Sequence, residues 1–258
     1  LAGQMEQVGE LFAGLAGDMC HAGEVPAEME NVIKRELGNL RVRVNDMMIC
    51  RDKRDHIEIR MQAKTTKGRL VTARETAQVL SELFGKSFMP SRESHNVIPK
   101  EETEMIFVED TPLLAVTGVG RRRKEGEEVS GDSFSCLSLP NGELLLALSD
   151  GMGSGEGALG ESQVVIELLE QMTEAGFSKI SALKLINSLY MPEAVQTRFA
   201  TADVVVLDLY QGSCQFMKNG AAATWLRRGD HVERIEGQAL PVGVYQDAEP
   251  YFQKTEIY

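Results

Sequence analysis

Two aspartates and a run of glycines are the part of this sequence best suited to chemistry. Asp132 follows a serine and a glycine, and Asp150 is followed by glycines at positions 151, 153, 155 and 157. Neighbouring carboxylates repel each other, and a divalent cation relieves that repulsion. Hard oxygen ligands of this kind suit Mg²⁺ or Mn²⁺ rather than Zn²⁺. The glycines permit sharp bends, so that backbone carbonyl groups can face a metal ion and amide groups a phosphate.

A predicted β-hairpin brings these two aspartates together. Phe134 to Leu139 and Glu143 to Ser149 are predicted strands, and Pro140-Asn141-Gly142 between them is a strong turn signal. Antiparallel pairing about this turn places Asp132, just before one strand, beside Asp150, just after the other. The sequence therefore predicts a metal site at the open end of the hairpin. Taken singly, each aspartate also fits the simpler role of a turn residue next to glycine.

A second interpretation concerns the same glycines. Residues Gly153 to Ala158 fit the pattern G-x-G-x-x-A between a strand and a helix, as in dinucleotide binding. That fold needs a second parallel strand after the helix, whereas the helical pattern Leu159 to Ala175 leads directly to another, Ile180 to Tyr190. Asp150 would also face the pyrophosphate without a neutralising charge. The sequence favours the metal site.

The elements around the hairpin predict the fold class. Further strands are predicted over Leu114 to Val119, Ala202 to Tyr210, Cys214 to Lys218, Thr224 to Arg227 and Val232 to Ile235. Strand hairpins that flank a helical pair imply a largely antiparallel α+β sandwich. The two helices could move and so adjust the metal ligands beside them, or their apolar faces could serve core packing alone.

Residues 1 to 110 are predicted as a separate regulatory segment, with a boundary near Glu109 to Pro112 and a second domain over 111 to 258. A small α/β module is expected, with helices over Glu28 to Leu40 and from Thr72 or Ala73 to Phe84, and strands over Arg41 to Cys50, Asp55 to Ala63 and Met105 to Val108. Before it, a heptad pattern places six apolar residues on one helical face: Leu1, Met5, Val8, Phe12, Leu15 and Met19. This helix either docks on its own protein or dimerises, so a homodimer or regulated oligomer is expected.

Charge and cysteine content exclude several classes of protein. The net charge is −12 and the pI about 4.9, whereas a nucleic-acid-binding surface is basic. The 4 cysteines form no Cys-x-x-Cys pair, which argues against a zinc site and is typical of a reducing cytoplasm. No segment reaches the roughly 18 to 20 apolar residues that cross a bilayer, so we expect no membrane contact by this segment.

Five motifs, in order across residues 113 to 245, resemble the metal-dependent protein phosphatase (PPM) family and within it a bacterial branch that acts in sporulation. They are Val129-Ser130-Gly131-Asp132-Ser133, Leu148-Ser149-Asp150-Gly151-Met152-Gly153, Ala182-Leu183-Lys184-Leu185-Ile186-Asn187-Ser188, Phe216-Met217-Lys218-Asn219-Gly220 and Ala239-Leu240-Pro241-Val242-Gly243. The resemblance implies an α-β-β-α sandwich with two Mn²⁺ or Mg²⁺ ions. It also implies that Asp150 bridges both ions, that the Gly151 carbonyl binds one, and that Asp132 holds an ion directly or through water.

The resemblance further implies an activity. The sequence is similar to enzymes that remove phosphate from a phosphoserine on an anti-anti-sigma factor and so activate a sporulation sigma factor. The same activity is expected of this protein. Residues 1 to 110 resemble the preceding regulatory region only weakly. The expected location is the cytoplasmic face, with the full-length protein anchored to a membrane through a preceding region.

The resemblance also predicts that two metal-binding acids of the family are missing from these 258 residues. The family has two further metal-binding acids, in a second Asp-Gly motif and in an Asp-Asp pair, which would follow Tyr258. The 258 residues alone are therefore expected to be an incomplete phosphatase domain that binds metal weakly and hydrolyses phosphate poorly. The alternative hypothesis is a non-catalytic module with a phosphatase-like fold that binds a phosphoprotein or serves assembly.

A basic run, Arg121 to Lys124, precedes the first aspartate. It could steer an acidic phosphoprotein towards the site. Because Glu125, Glu127 and Glu128 follow it directly, a solvated charge run is the simpler interpretation.

Overall fold

The computed structural model describes residues 21–23, 27–51, 54–66, 70–91, 93–139, 141–190, 199–245 and 249–257. They belong to two compact units that divide between Thr111 and Pro112. The predicted heptad helix over residues 1 to 20 lies outside the described residues. The regulatory and phosphatase roles assigned to the two parts stay predictions.

The first unit is a five-stranded antiparallel sheet with two helices. Its strands are β1 (His21–Gly23), β2 (Val42–Arg51), β3 (Ile57–Thr65), β4 (Phe88–Pro90) and β5 (Thr103–Glu109), in the order β1-β2-β3-β5-β4. The helices are α1 (Ala27–Asn39) and α2 (Ala73–Phe84). Alternate residues of β3, namely Ile57, Ile59 and Met61, are buried in one core with α1 and α2 residues, as expected for a sheet covered on one face.

Local sequence signals fix both ends of α2. Thr72 accepts a hydrogen bond from the Glu75 amide, and the Glu75 carboxylate accepts one from the Thr72 amide, which completes a capping box. Gly85 ends the helix at φ 66° and donates to the Ser81 carbonyl. The predicted start and end of this helix are confirmed.

The second unit contains the predicted hairpin. Its strands are β6 (Asp132–Ser138), β7 (Glu143–Asp150), β8 (Ala202–Asp208), β9 (Ser213–Asn219), β10 (Thr224–Arg228), β11 (His231–Ile235) and β12 (Tyr251–Glu256). Five form an antiparallel sheet in the order β12-β9-β8-β7-β6, and β10 pairs with β11 as a two-stranded ribbon. The helices α3 (Gly155–Glu174) and α4 (Lys179–Tyr190) lie between β7 and β8 in the chain.

At β8 the five-stranded sheet packs side chains on both of its faces, because successive side chains of a strand alternate. On β8, Val204 and Val206 pack in a core with residues of α3 and α4. The next residues along the strand, Val205 and Leu207, pack instead in a cluster that includes Ile235 of the ribbon. The described part of this unit therefore has a helix layer, a sheet and a ribbon, and the predicted α+β class is confirmed.

The sequence prediction is wrong over Leu114 to Val119. This segment forms no strand, and Leu114 and Val116 are each 89% exposed. Period-two alternation gives a segment two different faces, but a strand also needs a neighbouring backbone that accepts and donates its hydrogen bonds. Three short or polar strands, β1, β4 and β12, are not anticipated from the sequence, because each is defined mainly by the strand beside it.

Among the described residues, no helix is long and apolar enough to cross a membrane.

A buried lysine joins the ribbon to the sheet. The Lys218 side chain is 0% exposed, and its ammonium group donates to Asp203 Oδ2 at 2.6 Å, to the Ala222 carbonyl at 2.7 Å and to Thr224 Oγ1 at 2.8 Å. Thr224 in turn donates to Asp203. These bonds use all of the ammonium protons, so the buried charge is compensated where β8, β9 and β10 meet.

Replacing Lys218 by Met should destabilise the fold by about 3–5 kcal/mol, because the Asp203 carboxylate would remain buried without its cation. Lys184→Met is the matched control. Its ion pair with Glu249 is exposed, so its loss should cost about 1 kcal/mol or less. Urea denaturation of both variants measures the difference, and equal losses would contradict the assigned role of the buried pair.

Candidate metal centre

The two candidate ligands lie directly opposite each other in the sheet. The β6–β7 pairing runs from Ser138↔Leu144 at the turn to Asp132↔Asp150 at the open end. At the turn, Gly142 adopts φ 73° and the Leu139 amide donates to the Glu143 carbonyl at 2.8 Å. The predicted juxtaposition is therefore present, and it follows from the position of the turn and the equal lengths of the two arms.

The two aspartates occupy the face of the sheet opposite the helices. Their neighbours Ser133 and Ser149 are buried, and the Ser133 hydroxyl contacts that of Ser162 on α3 at 2.8 Å. Since successive side chains alternate, Asp132 and Asp150 point the other way, to the side where Phe134 and Leu148 are also exposed.

Asp132 is held by Ser130 and Arg121, which both precede it in the chain. The Ser130 hydroxyl donates to Asp132 Oδ2 at 2.9 Å. The Arg121 guanidinium donates to the carbonyl oxygens of Ser130 at 3.0 Å and of Asp132 at 2.6 Å. Arg121 thus anchors the start of β6, although its side chain is exposed like those of Arg122 to Lys124, as the solvated interpretation of the basic run expects.

Asp150 is held through its backbone. Its amide donates to Thr201 Oγ1 at 2.9 Å, and its carbonyl accepts from the Thr201 amide at 2.9 Å. The carboxylate is therefore left outside these bonds, at the surface of the sheet. Sequence reasoning did not identify Ser130, Arg121 or Thr201 as supports of the site. Ser130 makes a local contact that its position two residues before Asp132 could have suggested, whereas the contact of Thr201 with Asp150 depends on how distant segments pack.

Gly151 is a glycine for steric reasons. A Cβ at this position would lie 1.8 Å from the Ala158 carbonyl oxygen, and one at Gly131 would lie 2.8 Å from the Ala158 Cβ. The first turns of α3 thus press against both residues that adjoin the aspartates. Ser162 adds a hydrogen bond to the Gly131 carbonyl at 2.6 Å, so α3 fixes the backbone beneath the site.

The electrostatics of the pair oppose double ionisation. Burial raises the pKa of the Asp150 carboxyl above its ordinary value, and the neighbouring Asp132 raises it further. A cation beside both carboxylates would reverse this effect, because it favours the charged forms. The donor set, two carboxylates with the Gly151 carbonyl next in the chain, fits Mg²⁺ or Mn²⁺.

Within the part of the chain that the structure describes, no group of three or more His, Cys, Asp or Glu side chains is arranged to hold a metal ion. The alternative of a dinucleotide site does not fit this fold, because all the strand pairs of the five-stranded sheet are antiparallel and α3 is followed by α4 rather than by a strand.

A solved structure shares this architecture over the whole chain. It contains the PP2C phosphatase domain and a fragment of the regulatory domain of the cell fate determinant SpoIIE from Bacillus subtilis. The TM-score is 0.63 at 24% identity, and the match covers 100% of this chain and 75% of that one. The chain thus has the fold of a PP2C-type phosphatase domain.

Sequence comparison gives a more specific similarity. Residues 140–257 match the family model described as stage II sporulation protein E (SpoIIE). Stage II sporulation protein E of Priestia megaterium is 30% identical over 249 residues, and that of Bacillus subtilis (strain 168) is 28% identical over 247 residues. The chain is thus similar in sequence to stage II sporulation protein E. Each match covers 96% of this chain but only 43% and 30% of the respective relatives, so the chain spans less than half of their length.

Gly151→Ala should lower the melting temperature markedly, because the added methyl group meets the backbone of α3 and one of the two must move. The expected loss is about 1–3 kcal/mol. Gly157→Ala, on the helix that Gly151 contacts, is the matched control. Its Cβ meets nothing within 4 Å, so it should stabilise the protein by about 0.5–1 kcal/mol. A neutral Gly151→Ala variant in thermal denaturation would contradict the close approach.

Asp150→Asn should stabilise the metal-free chain at neutral pH. A raised pKa means that the folded state binds this proton more tightly than the unfolded state does. Stability is thus greatest below the ordinary Asp pKa and falls as pH rises through the raised one. The variant has no carboxyl group that titrates at this position, so it lacks this fall. After solvent screening, its free energy of unfolding should exceed that of the unaltered chain by about 0.5 kcal/mol at pH values above the raised pKa. Below the ordinary Asp pKa the difference should vanish.

Urea denaturation in the presence of a chelator, repeated across acidic and neutral pH, measures this difference. An advantage of Asp150→Asn that grows as the pH falls would show that the assigned sign is wrong.

Proposed function

We propose that the full-length protein is a metal-dependent protein-serine phosphatase whose metal centre includes Asp132 and Asp150. The observation that carries the proposal is their direct opposition at the open end of the β6–β7 hairpin. Like charges placed opposite each other in a sheet are destabilising. A cation-binding role gives a reason for the pair, and the similarity to stage II sporulation protein E supplies the reaction class.

The roles proposed for the residues come from the resemblance to metal-dependent protein phosphatases, and their placement is compatible with them. Asp150, Asp132 and the Gly151 carbonyl would hold the metal, with Asp150 as the central ligand. Bound Mn²⁺ or Mg²⁺ supplies Lewis acidity at the phosphoryl oxygens and makes water a competent nucleophile. The chain's own contribution is rigidity: β6, β7 and α3 fix the oxygen donors before any ligand arrives.

The substrate is proposed to be a phosphoserine on an anti-anti-sigma factor, and its dephosphorylation would activate a sporulation sigma factor. This proposal is supported by the similarity to the proteins of Priestia megaterium and Bacillus subtilis that are named stage II sporulation protein E. Residues 1 to 110 would regulate the phosphatase, with a homodimer or regulated oligomer as the assembly. The domain would work at the cytoplasmic face of a membrane.

One observation favours a second candidate function. In the described residues, no group of three or more His, Cys, Asp or Glu side chains is arranged to hold a metal ion, which would also suit a non-catalytic module that binds a phosphoprotein or serves assembly. The two hypotheses differ in a simple respect: a binding module retains a phosphoprotein without releasing phosphate, whether or not Mn²⁺ is present.

Asp150→Asn and Asp132→Asn should each lower Mn²⁺-dependent phosphate release from a phosphoserine protein by about a hundredfold or more in the full-length protein, because each removes a negative charge that holds the metal. Asp230→Asn is the control. Asp230 is a fully exposed acid at the turn of the ribbon, so its loss should leave the rate unchanged. Full activity in both site variants would reject the proposed function.

A further inference from the structure

A buried asparagine on α4 forms hydrogen bonds to the backbone of a loop, residues 241 to 245, that is distant in sequence. Asn187 is 1% exposed. Its Nδ2 donates to the Tyr245 carbonyl at 2.8 Å, and its Oδ1 accepts from the Gly243 amide at 2.9 Å. The partners are 58 and 56 residues away in sequence, so helix and loop are joined by tertiary contact alone. Neighbouring buried positions of α4, such as Leu183 and Ile186, are apolar.

This loop is paired, through Val242, with residues 199 to 201, which lie next to Asp150. Val242, which is 0% exposed, donates its amide to the Ala200 carbonyl at 2.9 Å and accepts from the Ala200 amide at 3.3 Å. This reciprocal pair of bonds is the unit of an antiparallel ladder. The loop therefore cannot shift without straining or breaking its bonds to Ala200.

Ala200 is in turn paired with the candidate metal ligands. It forms an antiparallel bridge with Gly151. On either side of this bridge, the Thr201 amide donates to the Asp150 carbonyl at 2.9 Å and the Met152 amide donates to the Phe199 carbonyl at 3.0 Å. Residues 199 to 201 thus lie between the loop and the ligand segment, as the middle strand of a small three-stranded ladder.

We infer that Asn187 is a positioning residue for Asp150 and Gly151, acting through Gly243, Val242 and Ala200. The inference rests on the proposed function, since it assigns these two residues to the metal. Its physical basis is the high penalty for leaving a buried amide unsatisfied, about 1–3 kcal/mol, which ties α4 to one position of the loop. The contacts from the loop to Ala200, and from residues 199 to 201 to the ligand segment, are backbone hydrogen bonds. A shift of the loop would therefore change the strand register beside Asp150 and Gly151.

Asn187→Leu removes both bonds while nearly keeping the volume of the side chain. Asn187→Asp has nearly the same shape and keeps the acceptor for Gly243, but it replaces the donor to Tyr245 with a second oxygen. Leu183→Ala, one turn earlier on the buried face of α4, is the control for stability, because it destabilises the same helix without touching the loop bonds.

Two measurements separate positioning from mere stability. The first is the affinity for Mn²⁺ alone, by calorimetry on the folded chain, where Asn187→Leu should bind about 10-fold more weakly. The second is amide hydrogen exchange in the metal-free chain, where Val242 and Met152 should lose protection. Asn187→Asp should show the same changes to a smaller degree. Leu183→Ala should lower the melting temperature but leave the Mn²⁺ affinity unchanged.

Normal Mn²⁺ affinity together with normal exchange at Val242 and Met152 in Asn187→Leu would overturn the inference, as would equal effects of Leu183→Ala. If Asn187→Leu does not fold, Asn187→Asp decides by the same two measurements. Failure of the proposed function has a different signature: an Mn²⁺ affinity of the unaltered chain that Asp150→Asn does not change. The exchange measurement would then still decide whether Asn187 positions the ligand segment.

Discussion

The strand pairing of the second unit forces two carboxylates into close proximity, and the candidate site depends on this constraint. Asp132 and Asp150 are opposed by the register of the β6–β7 hairpin, and burial and mutual repulsion raise the pKa of Asp150. Without a cation the pair opposes the pairing that creates it. The hydrogen bonds of the ladder and the anchoring of both strand ends by Arg121 and Thr201 hold the two acids in place. A cation bound beside both carboxylates would relieve this unfavourable contact.

The second constraint is the close approach of α3 to the chain beside Asp132 and Asp150. It helps to hold the two aspartates in place. Because Gly151 and Gly131 have no side chain, Ala158 of α3 can pack directly against them. This contact fixes the peptide groups next to each aspartate, which are the groups whose carbonyls a hard cation would use. A side chain at either position would separate helix from strand. The glycines therefore act less through flexibility than through the rigid packing that their small size permits.

Polar groups buried away from the site stabilise its surroundings. Lys218 and Asp203 connect the ribbon to the sheet, and Asn187 connects α4 to the loop that reaches Ala200. Each has defined partners in a region otherwise filled by apolar side chains. Such groups tolerate few alternative arrangements, because any shift leaves a buried donor or acceptor unsatisfied. They favour a single geometry of the ligand segment.

The sequence by itself determined the features set by local patterns and by one turn. The α2 boundaries follow from Thr72, Glu75 and Gly85, and the opposition of Asp132 and Asp150 follows from a turn midway between them. Only the tertiary structure decided which other residues meet them. Arg121, Thr201, Ala158 and Asn187 contact the site or its supports across long sequence separations, and Leu114 to Val119 forms no strand despite its alternation. The physical reason is that periodicity and turn chemistry act over a few residues, whereas strand partners and buried hydrogen bonds are chosen by packing of the whole unit.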